Sequence, residues 1–428
     1  MAETAGPLGV EGEEKPRGAR ARLSGTVKAL GLVSLFTDAS SEMIYPLLPI
    51  FLSSVLGAGA VAIGLVEGVA EGTASVLKGF SGYISDRVGR RKTLILAGYG
   101  LSTFAKPFFA AADTVWQVLV VRFVDRVGKG LRTAPRDAMI AETTDPSIRG
   151  KAYSFHRAMD TLGAVVGPAI AFLLMWLLRG TGNSAYRWVF LAAFVPGLVS
   201  VLIIVFAIRE KRSGARAERP HLSLRGLGRD YRALMLVVAL FMLGNSSDAF
   251  LLLRARSLGM QVYLIPLLWM AFNLVYSVAA VPCGMLSDRI GRKKPLLIGF
   301  ILYGFIYVGF GFAHRLVYVW LLMGAYGVFY GLTHGVMSAY VADLAPPAMK
   351  GTAFGVYHTT DGISRLLASV IFGLIWQSSG TYGPSAAFFF GAGMAVLAGI
   401  ALWTLCAECA PGVGPPAPTS EAIEPPDD

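Results

Sequence analysis

Long apolar runs, many of about eighteen residues or more, follow one another along most of this chain, and few folds accept them. A run of that length crosses the hydrocarbon core of a bilayer as one helix. Inside lipid each span must satisfy its own backbone N–H and C=O groups, which favours helices over open sheets. The composition agrees, since 54% of the 428 residues are hydrophobic and only 15% are charged, where a soluble domain would hold about a quarter charged. The runs predict an all-α membrane protein with twelve transmembrane helices, at about 28–54, 60–84, 93–112, 115–141, 151–178, 186–208, 231–256, 262–286, 295–313, 316–342, 351–377 and 385–406.

The formal net charge is +11, but its placement argues against nucleic acid as a partner. Basic residues cluster in alternate joints, "SDRVGRRK" at 85–92, "REKRSGARAERPHLSLRGLGRDYR" at 209–232 and "SDRIGRKK" at 287–294, whereas "GAGA" at 57–60 and "SSGTYG" at 378–383 carry none. This bias orients a chain with its basic joints inside, so a bacterial plasma membrane with both termini cytoplasmic is expected. The first 25 residues hold Glu11, Glu13, Glu14 and "KPRGARAR" with no apolar segment, unlike a signal peptide. Residues 1–27 are expected to be a disordered tail, as is the Pro-rich, acidic stretch 407–428, with a basic linker at 209–230 between bundles at 28–208 and 231–406. Three cysteines give no disulfide framework, and the lone C-x-x-C of Cys406 and Cys409 lacks a second pair.

The two halves repeat each other. "GYISDRVGRRK" at 82–92 recurs as "GMLSDRIGRKK" at 284–294, an offset of 202. "RGKAYSFHRAMDTLG" at 149–163 recurs as "KGTAFGVYHTTDGIS" at 350–364, aligning Gly150 with Gly351 and Asp160 with Asp361; "SSEM" at 40–43 faces "SSDA" at 246–249, matching Glu42 with Asp248. Anchors in the same order at nearly constant offset mark a duplicated six-helix unit.

The pattern G-x-x-x-D-R-x-G-R-R/K-K falls between the second and third spans of each half. It is Gly82, Asp86, Arg87, Gly89, Arg90, Arg91 and Lys92 in the first copy, and Gly284, Asp288, Arg289, Gly291, Arg292, Lys293 and Lys294 in the second. This doubled signature resembles that of the major facilitator superfamily (MFS) of transporters, over roughly residues 28 to 406. The resemblance implies two pseudo-symmetric six-helix bundles around a central cavity that opens alternately to each side, with the signature latching the bundles together. In physical terms, Gly82 would admit a neighbouring helix, Asp86 would accept hydrogen bonds at a helix N-terminus, and the arginines would offer forked donors to carboxylates. Three further features look like drug/proton antiporters. They are the acid and prolines of "EMIYPLLP" at 42–49, Arg122 at the place of a fourth-helix arginine, and Gly163, Gly167 and Pro168 as a fifth-helix G-x-x-x-G-P. Asp125 and Arg126 depart from the family's Gln and first Gly after that arginine. "DRVGKGLRTAPRDAMIAETTD" and "GNSSDAFLLLRA" also resemble a prokaryotic subgroup whose substrates are largely unassigned.

The fourth span is the most charged. Arg122, Asp125, Arg126, Lys129, Arg132, Arg136 and Asp137 fall within an arc of roughly 140°, over about 22 Å of helix. One charge facing lipid at mid-bilayer costs about 2.5 kcal/mol or more, so the stripe is expected to face partners or a wet cavity, and the fold that the resemblance implies sets this span along the cavity. Glu67 and Glu71 with Lys78 on the second span, and Asp38 and Glu42 on the first, are the expected partners. Buried carboxylates beside arginines suit proton coupling. Glu42 is the expected proton-coupling acid and Asp38 the second, in a set with Glu67, Glu71 and Arg122, and protonating Glu42 is expected to release Arg122. Asp125, Arg126, Lys129, Arg132 and Arg136, with Asp248 and Arg254 from the second half, are expected to line the substrate cavity. The basic surplus of the stripe and the Arg254/Arg256 pair hint at an anionic substrate.

His156, Arg157 and Asp160, and their counterparts His358, Asp361 and Arg365, are expected at bundle contacts that change during the cycle. His156, His334 and His358 are the weaker alternative of a metal site, and Trp269 and Phe388 to Phe390 are read as packing or lipid-facing. The expected function is secondary active transport of a small molecule by a monomer, as proton-coupled antiport with export. The alternatives are proton-coupled uptake of an anionic nutrient or chelate, divalent metal efflux, and a membrane-embedded enzyme or sensor. No Walker-type G-x-x-x-x-G-K-S/T occurs, so ATP-driven transport is not expected, and without a G-x-S-x-G elbow or a paired metal-ligand motif neither catalysis nor a cofactor or bound metal is expected.

Overall fold

A computed structural model describes residues 23–145, 148–209, 226–346 and 349–406, without the side chains of residues 83, 86 and 88. Most of the two expected tails and of the basic linker, and the side chain of Asp86, lie outside the described residues. Fifteen α-helices in this set build the twelve spans, because the first, sixth and seventh spans are each broken in two.

The amino-terminal half contains α1 (Gly25–Ile44), α2 (Leu48–Ser54), α3 (Ala60–Val88), α4 (Arg91–Ala111), α5 (Val115–Glu142), α6 (Arg149–Leu177), α7 (Ser184–Ala192) and α8 (Phe194–Ala207). The carboxy-terminal half contains α9 (Arg229–Gly244), α10 (Ala249–Ser257), α11 (Leu264–Ile290), α12 (Lys293–Phe312), α13 (Leu316–Leu344), α14 (Lys350–Ser378) and α15 (Gly383–Leu405). Ser24 starts α1 by accepting from the Val27 amide, and Thr114 starts α5 in a capping box with Gln117. The break between α1 and α2 falls at Pro46, which has no N–H to give to the Glu42 carbonyl.

Among the described residues, nine spans are long and apolar enough to cross a membrane by composition alone. The other three, α1–α2, α5 and α14, carry Glu42, the charged stripe, and Asp361 with Arg365. They are also the spans with most to gain from interior partners.

Each half closes on itself. In the first, α1 packs on α6 and α8, and α5 on α3 and α4; in the second, α13 packs on α11 and α12, and α15 on α9 and α12. The approaches are close where glycine faces backbone. A Cβ on Gly167 would lie 2.4 Å from the Ala39 carbonyl oxygen, and one on Gly163 2.5 Å from that of Leu35. The two antiporter-like glycines of α6 therefore set the α1–α6 approach.

Three helix pairs join the bundles: α3 with α14, α6 with α11, and α2 with α10. The α2–α10 contact lies at the end away from the basic joints. There Leu47, Leu48, Phe51, Phe250, Leu251 and Leu252 are all fully buried and form an apolar seal. Neither α5 nor α13 shares a substantial contact with the opposite bundle.

Candidate functional site

The ionic core of the amino-terminal bundle lies between α3 and α5. Arg122 Nη2 donates to Glu67 Oε2 at 3.0 Å, with Glu67 wholly buried. One turn on, Arg126 Nη1 donates to Glu71 Oε1 at 3.5 Å. Asp125 sits between the arginines, with its Oδ2 3.2 Å from Arg126 Nε and 3.8 Å from Arg122 Nη1. The expected pairing of the second and fourth spans is thus present. It is unsaturated, for Glu67 Oε1, Arg122 Nε and Arg126 Nε are buried without a hydrogen-bond partner. A buried network with spare donors and acceptors is held less firmly than a saturated one.

Glu42 does not join that network. Its Oε2 accepts from the indole Nε1 of Trp269 on α11 at 2.6 Å, across the two bundles. Tyr45 stacks obliquely on the same indole at 4.9 Å, and Arg122 lies 5.4 Å from the Tyr45 ring. Two expectations are corrected here. Arg122 is held by Glu67 rather than Glu42, because α3 brings its carboxylate into reach at the same depth. Trp269 is neither lipid-facing nor mere packing, since it is buried and donates to the expected coupling acid.

The stripe on α5 also divides. Arg132 turns away from the cavity into the α4–α5 interface, donating to Ser102 Oγ at 2.7 Å with its guanidinium 4.3 Å from the Tyr99 ring. Gly98 and Gly128 let the two backbones close there, so the arc facing α4 is filled rather than wet. Arg136 pairs with its neighbour Asp137 at 3.0 Å. Lys129 makes no hydrogen bond or ion pair among the described residues, and it feels the charges of Arg126, Glu71, Lys78 and Asp38. Asp38 likewise has no ion pair among them.

In the carboxy-terminal bundle, Asp248 stands just past the break between α9 and α10. It accepts from Tyr326 at 2.6 Å and from Tyr330 at 3.1 Å. Arg254 is a correction. Its guanidinium donates to the carbonyls of Phe310 and Ala313 at 3.2 and 2.9 Å, finishing the C-terminal end of α12 at the sealed end instead of lining a cavity.

The charged clusters of α6 and α14 make contacts both across the bundles and within them. Arg157 donates to the Tyr276 hydroxyl of α11 at 2.8 Å, and Ser75 of α3 donates to Asp361, which also accepts from Arg365 at 2.9 Å. These two contacts cross between the bundles. His156 and Asp160 instead face their own bundle, where Asp160 accepts from Ser34. No group of three or more His, Cys, Asp or Glu side chains suited to a metal ion occurs among the described residues.

In the signature repeats, Gly89 and Gly291 adopt φ of +63° and +88°, a left-handed region that suits glycine at a helix C-terminus. Gly82 and Gly284 are not tightly packed, since a Cβ on Gly82 would meet only Ala134 at 3.8 Å and one on Gly284 nothing. Arg91 pairs with Glu142 at 2.8 Å and Arg292 with Asp343 at 3.0 Å, each contact inside its own bundle. Asp288 pairs with Arg292, while Arg87, Arg90 and Arg289 are exposed. Each of these pairs stays within one bundle, so none of them clasps one bundle to the other in this conformation.

Two features escape a reading of the sequence. Lys106, on α4, is wholly buried and donates to Ser40, which donates in turn to the Ala193 carbonyl. Its signal was a lone lysine beside Pro107 in an apolar run. The second is the α3–α14 seam. A Cβ on Gly64, Gly68 or Gly72 would lie 2.2, 3.0 or 3.1 Å from the carbonyls of Ser369, Leu366 and Gly362, and the four-residue spacing was its signal.

Comparison with known proteins agrees with this architecture. The family model for the Major Facilitator Superfamily matches residues 30–265 and 233–426. The chain is 35% identical over 387 residues to an uncharacterised MFS-type transporter, MJ1317, of Methanocaldococcus jannaschii, covering 89% of this chain and 94% of that one. It is 28% identical over 233 residues, about half of each chain, to a probable 4-methylmuconolactone transporter of Cupriavidus pinatubonensis. Among solved structures it resembles a D-xylose–proton symporter, with a TM-score of 0.72 at 17% identity over 90% of this chain and 98% of the other. The twelve spans, the doubled signature and these matches together place the chain in the major facilitator superfamily, as a multi-pass membrane transporter rather than an enzyme.

Proposed function

We propose that this transporter is proton-coupled and that Glu42 carries the proton. The observation that carries the reading is the Glu42–Trp269 hydrogen bond between bundles, made by an acid with no ion-pair partner among the described residues. Glu67, Glu71, Asp125 and Asp361 each have an arginine, so protonating any of them breaks an ion pair. Protonating Glu42 breaks none. It weakens a charge-assisted hydrogen bond that ties α1 to α11, and so links proton occupancy to how the bundles meet.

Two directions of coupling follow from this site. Exchange, with export of a small molecule, requires a substrate that competes with the proton at Glu42, for instance by displacing the Trp269 indole. Uptake of an anion in company with a proton is favoured by the Arg122–Glu67 pair, because protonating Glu42 then frees no arginine and leaves the cavity more positive. The name of the Cupriavidus relative supports a small organic solute in either case.

Transport by inverted vesicles decides between them. An exporter loads such vesicles and alkalinises their acid interior as substrate is added, and co-transport gives the opposite coupled flow. Glu42→Gln is expected to abolish the response of transport to a pH gradient while the protein still inserts. Proton-driven transport persisting in Glu42→Gln at every pH rejects Glu42 as the carrier.

A further inference from the structure

Where the bundles meet, α3, α9, α12, α13 and α14 enclose a cavity of about 100 Å³, lined by Ser75 and Lys78 from the first bundle and by residues of the second that include Tyr330, His334, His358 and Arg365. Lys78 is its one lining cation from the amino-terminal bundle. The ammonium makes no hydrogen bond or ion pair among the described residues, although α3 carries Glu71 two turns away and α14 carries Asp361 opposite. Asp361 is already engaged by Arg365 at 2.9 Å and by Ser75 at 3.1 Å, so the one carboxylate among the lining residues is committed elsewhere.

The other walls offer donors without partners. The rings of His334 and His358 make aromatic contacts, with Tyr330 and with Phe354 and Tyr357, but no hydrogen bond. Lys129, also unpaired, adds a second ammonium close enough to interact with Lys78. An ammonium drawn away from bulk water is costly unless something compensates it, and Lys78 feels Glu71 and Asp361 only at a distance, with no carboxylate in ion-pair contact among the described residues.

We infer that this cavity is an anion subsite, in which Lys78 binds the carboxylate or phosphate head of an organic anion whose flat apolar body lies against the aromatic wall of α13 and α14. The inference rests on the reading of this interior as the transport cavity. The size argues for a head group: the space takes a few water molecules, or one oxyanion with part of the ring that bears it. The position gives the ligand a function beyond occupancy. An anion held by Lys78 of α3 and by His334 or His358 of α13 and α14 ties the two bundles together beside their glycine seam, so loading is felt directly by the pair of helices that must move.

The test uses full-length protein in detergent, with benzoate, phenyl phosphate and the neutral benzyl alcohol as probes, read by thermal unfolding and by binding titration. Benzoate or phenyl phosphate is expected to raise the unfolding temperature in a saturable way, with benzyl alcohol without effect. Lys78→Met is expected to weaken that binding by about tenfold or more, the worth of one charge-assisted hydrogen bond, and Lys78→Arg to keep most of it. Equal shifts from the three probes, no shift from either anion, or wild-type affinity in Lys78→Met each overturns the subsite. The Lys78 titrations judge the subsite and the vesicle assay of Glu42→Gln judges the proton carrier, so either proposal can fail while the other stands.

Discussion

Arg122, Asp125, Arg126 and Lys129 follow one another along α5 of the amino-terminal bundle. The register of the 149–163 and 350–364 repeat, an offset of 201, puts Met323, Tyr326, Gly327 and Tyr330 of α13 at the same four places. One repeat solves its interior with ions and the other with aromatic rings: Tyr303 on Tyr307 at 4.0 Å, Phe241 on Phe300 at 4.1 Å, and Tyr326 and Tyr330 turned on Asp248. The ionic half gains directionality at the cost of several desolvated charges. The aromatic half packs densely, and its phenol hydroxyls can serve an acid without adding a cation. A substrate between them meets a charged face on one side and a flat apolar one on the other.

The seam between the halves should be the most sensitive place to break this arrangement. Gly64→Val would drive side-chain atoms into the Ser369 carbonyl, 2.2 Å from where even a Cβ would stand, and transport is expected to fall to background in reconstituted vesicles. Near-normal uptake or export in that variant would mean that the bundles do not bear on each other through α3 and α14.

Within the ionic half, Glu67→Leu or Arg122→Met alone leaves an uncompensated buried charge and is expected to cost about 3–5 kcal/mol of stability. The double variant should recover most of that loss in thermal unfolding. If the double is no better than the worse single, Glu67 and Arg122 do not act as a pair.

The aromatic half should answer more mildly. Tyr326→Phe removes one of the two phenol donors to Asp248 and is expected to cost about 1–3 kcal/mol, with Tyr330→Phe costing less because its bonds are longer. A loss in Tyr326→Phe as large as that in Arg122→Met would erase the contrast between the bundles.

Much of this was legible in the chain itself. Length and apolarity set the twelve spans, and the repeated signature set the two halves. The four-residue spacing of Glu67 and Glu71 matched that of Arg122 and Arg126, so their pairing followed from helix geometry alone. Partners from the other bundle were not legible. Trp269 stands 227 residues from Glu42, and no periodicity links them. Arg132 and Arg254 were misread for a related reason, since an arc of charges fixes which helix face is polar but not which neighbour covers each part of it. A deep groove beside α4 and a helix end at α12 each consumed an arginine that composition assigned to the cavity.

The Gly64–Gly68–Gly72 row also bears on kinetics. Between Gly64 and Gly72, α3 presents main chain to α14 and adds no rotamers of its own to exchange when one bundle rolls over the other. Such a surface offers little friction, so the slow step of the cycle should reside in the apolar plug formed by α2 and α10 and in the Tyr45–Trp269 stack beside it. Variants that speed turnover are then to be sought in the plug, and variants that stall it in the rail.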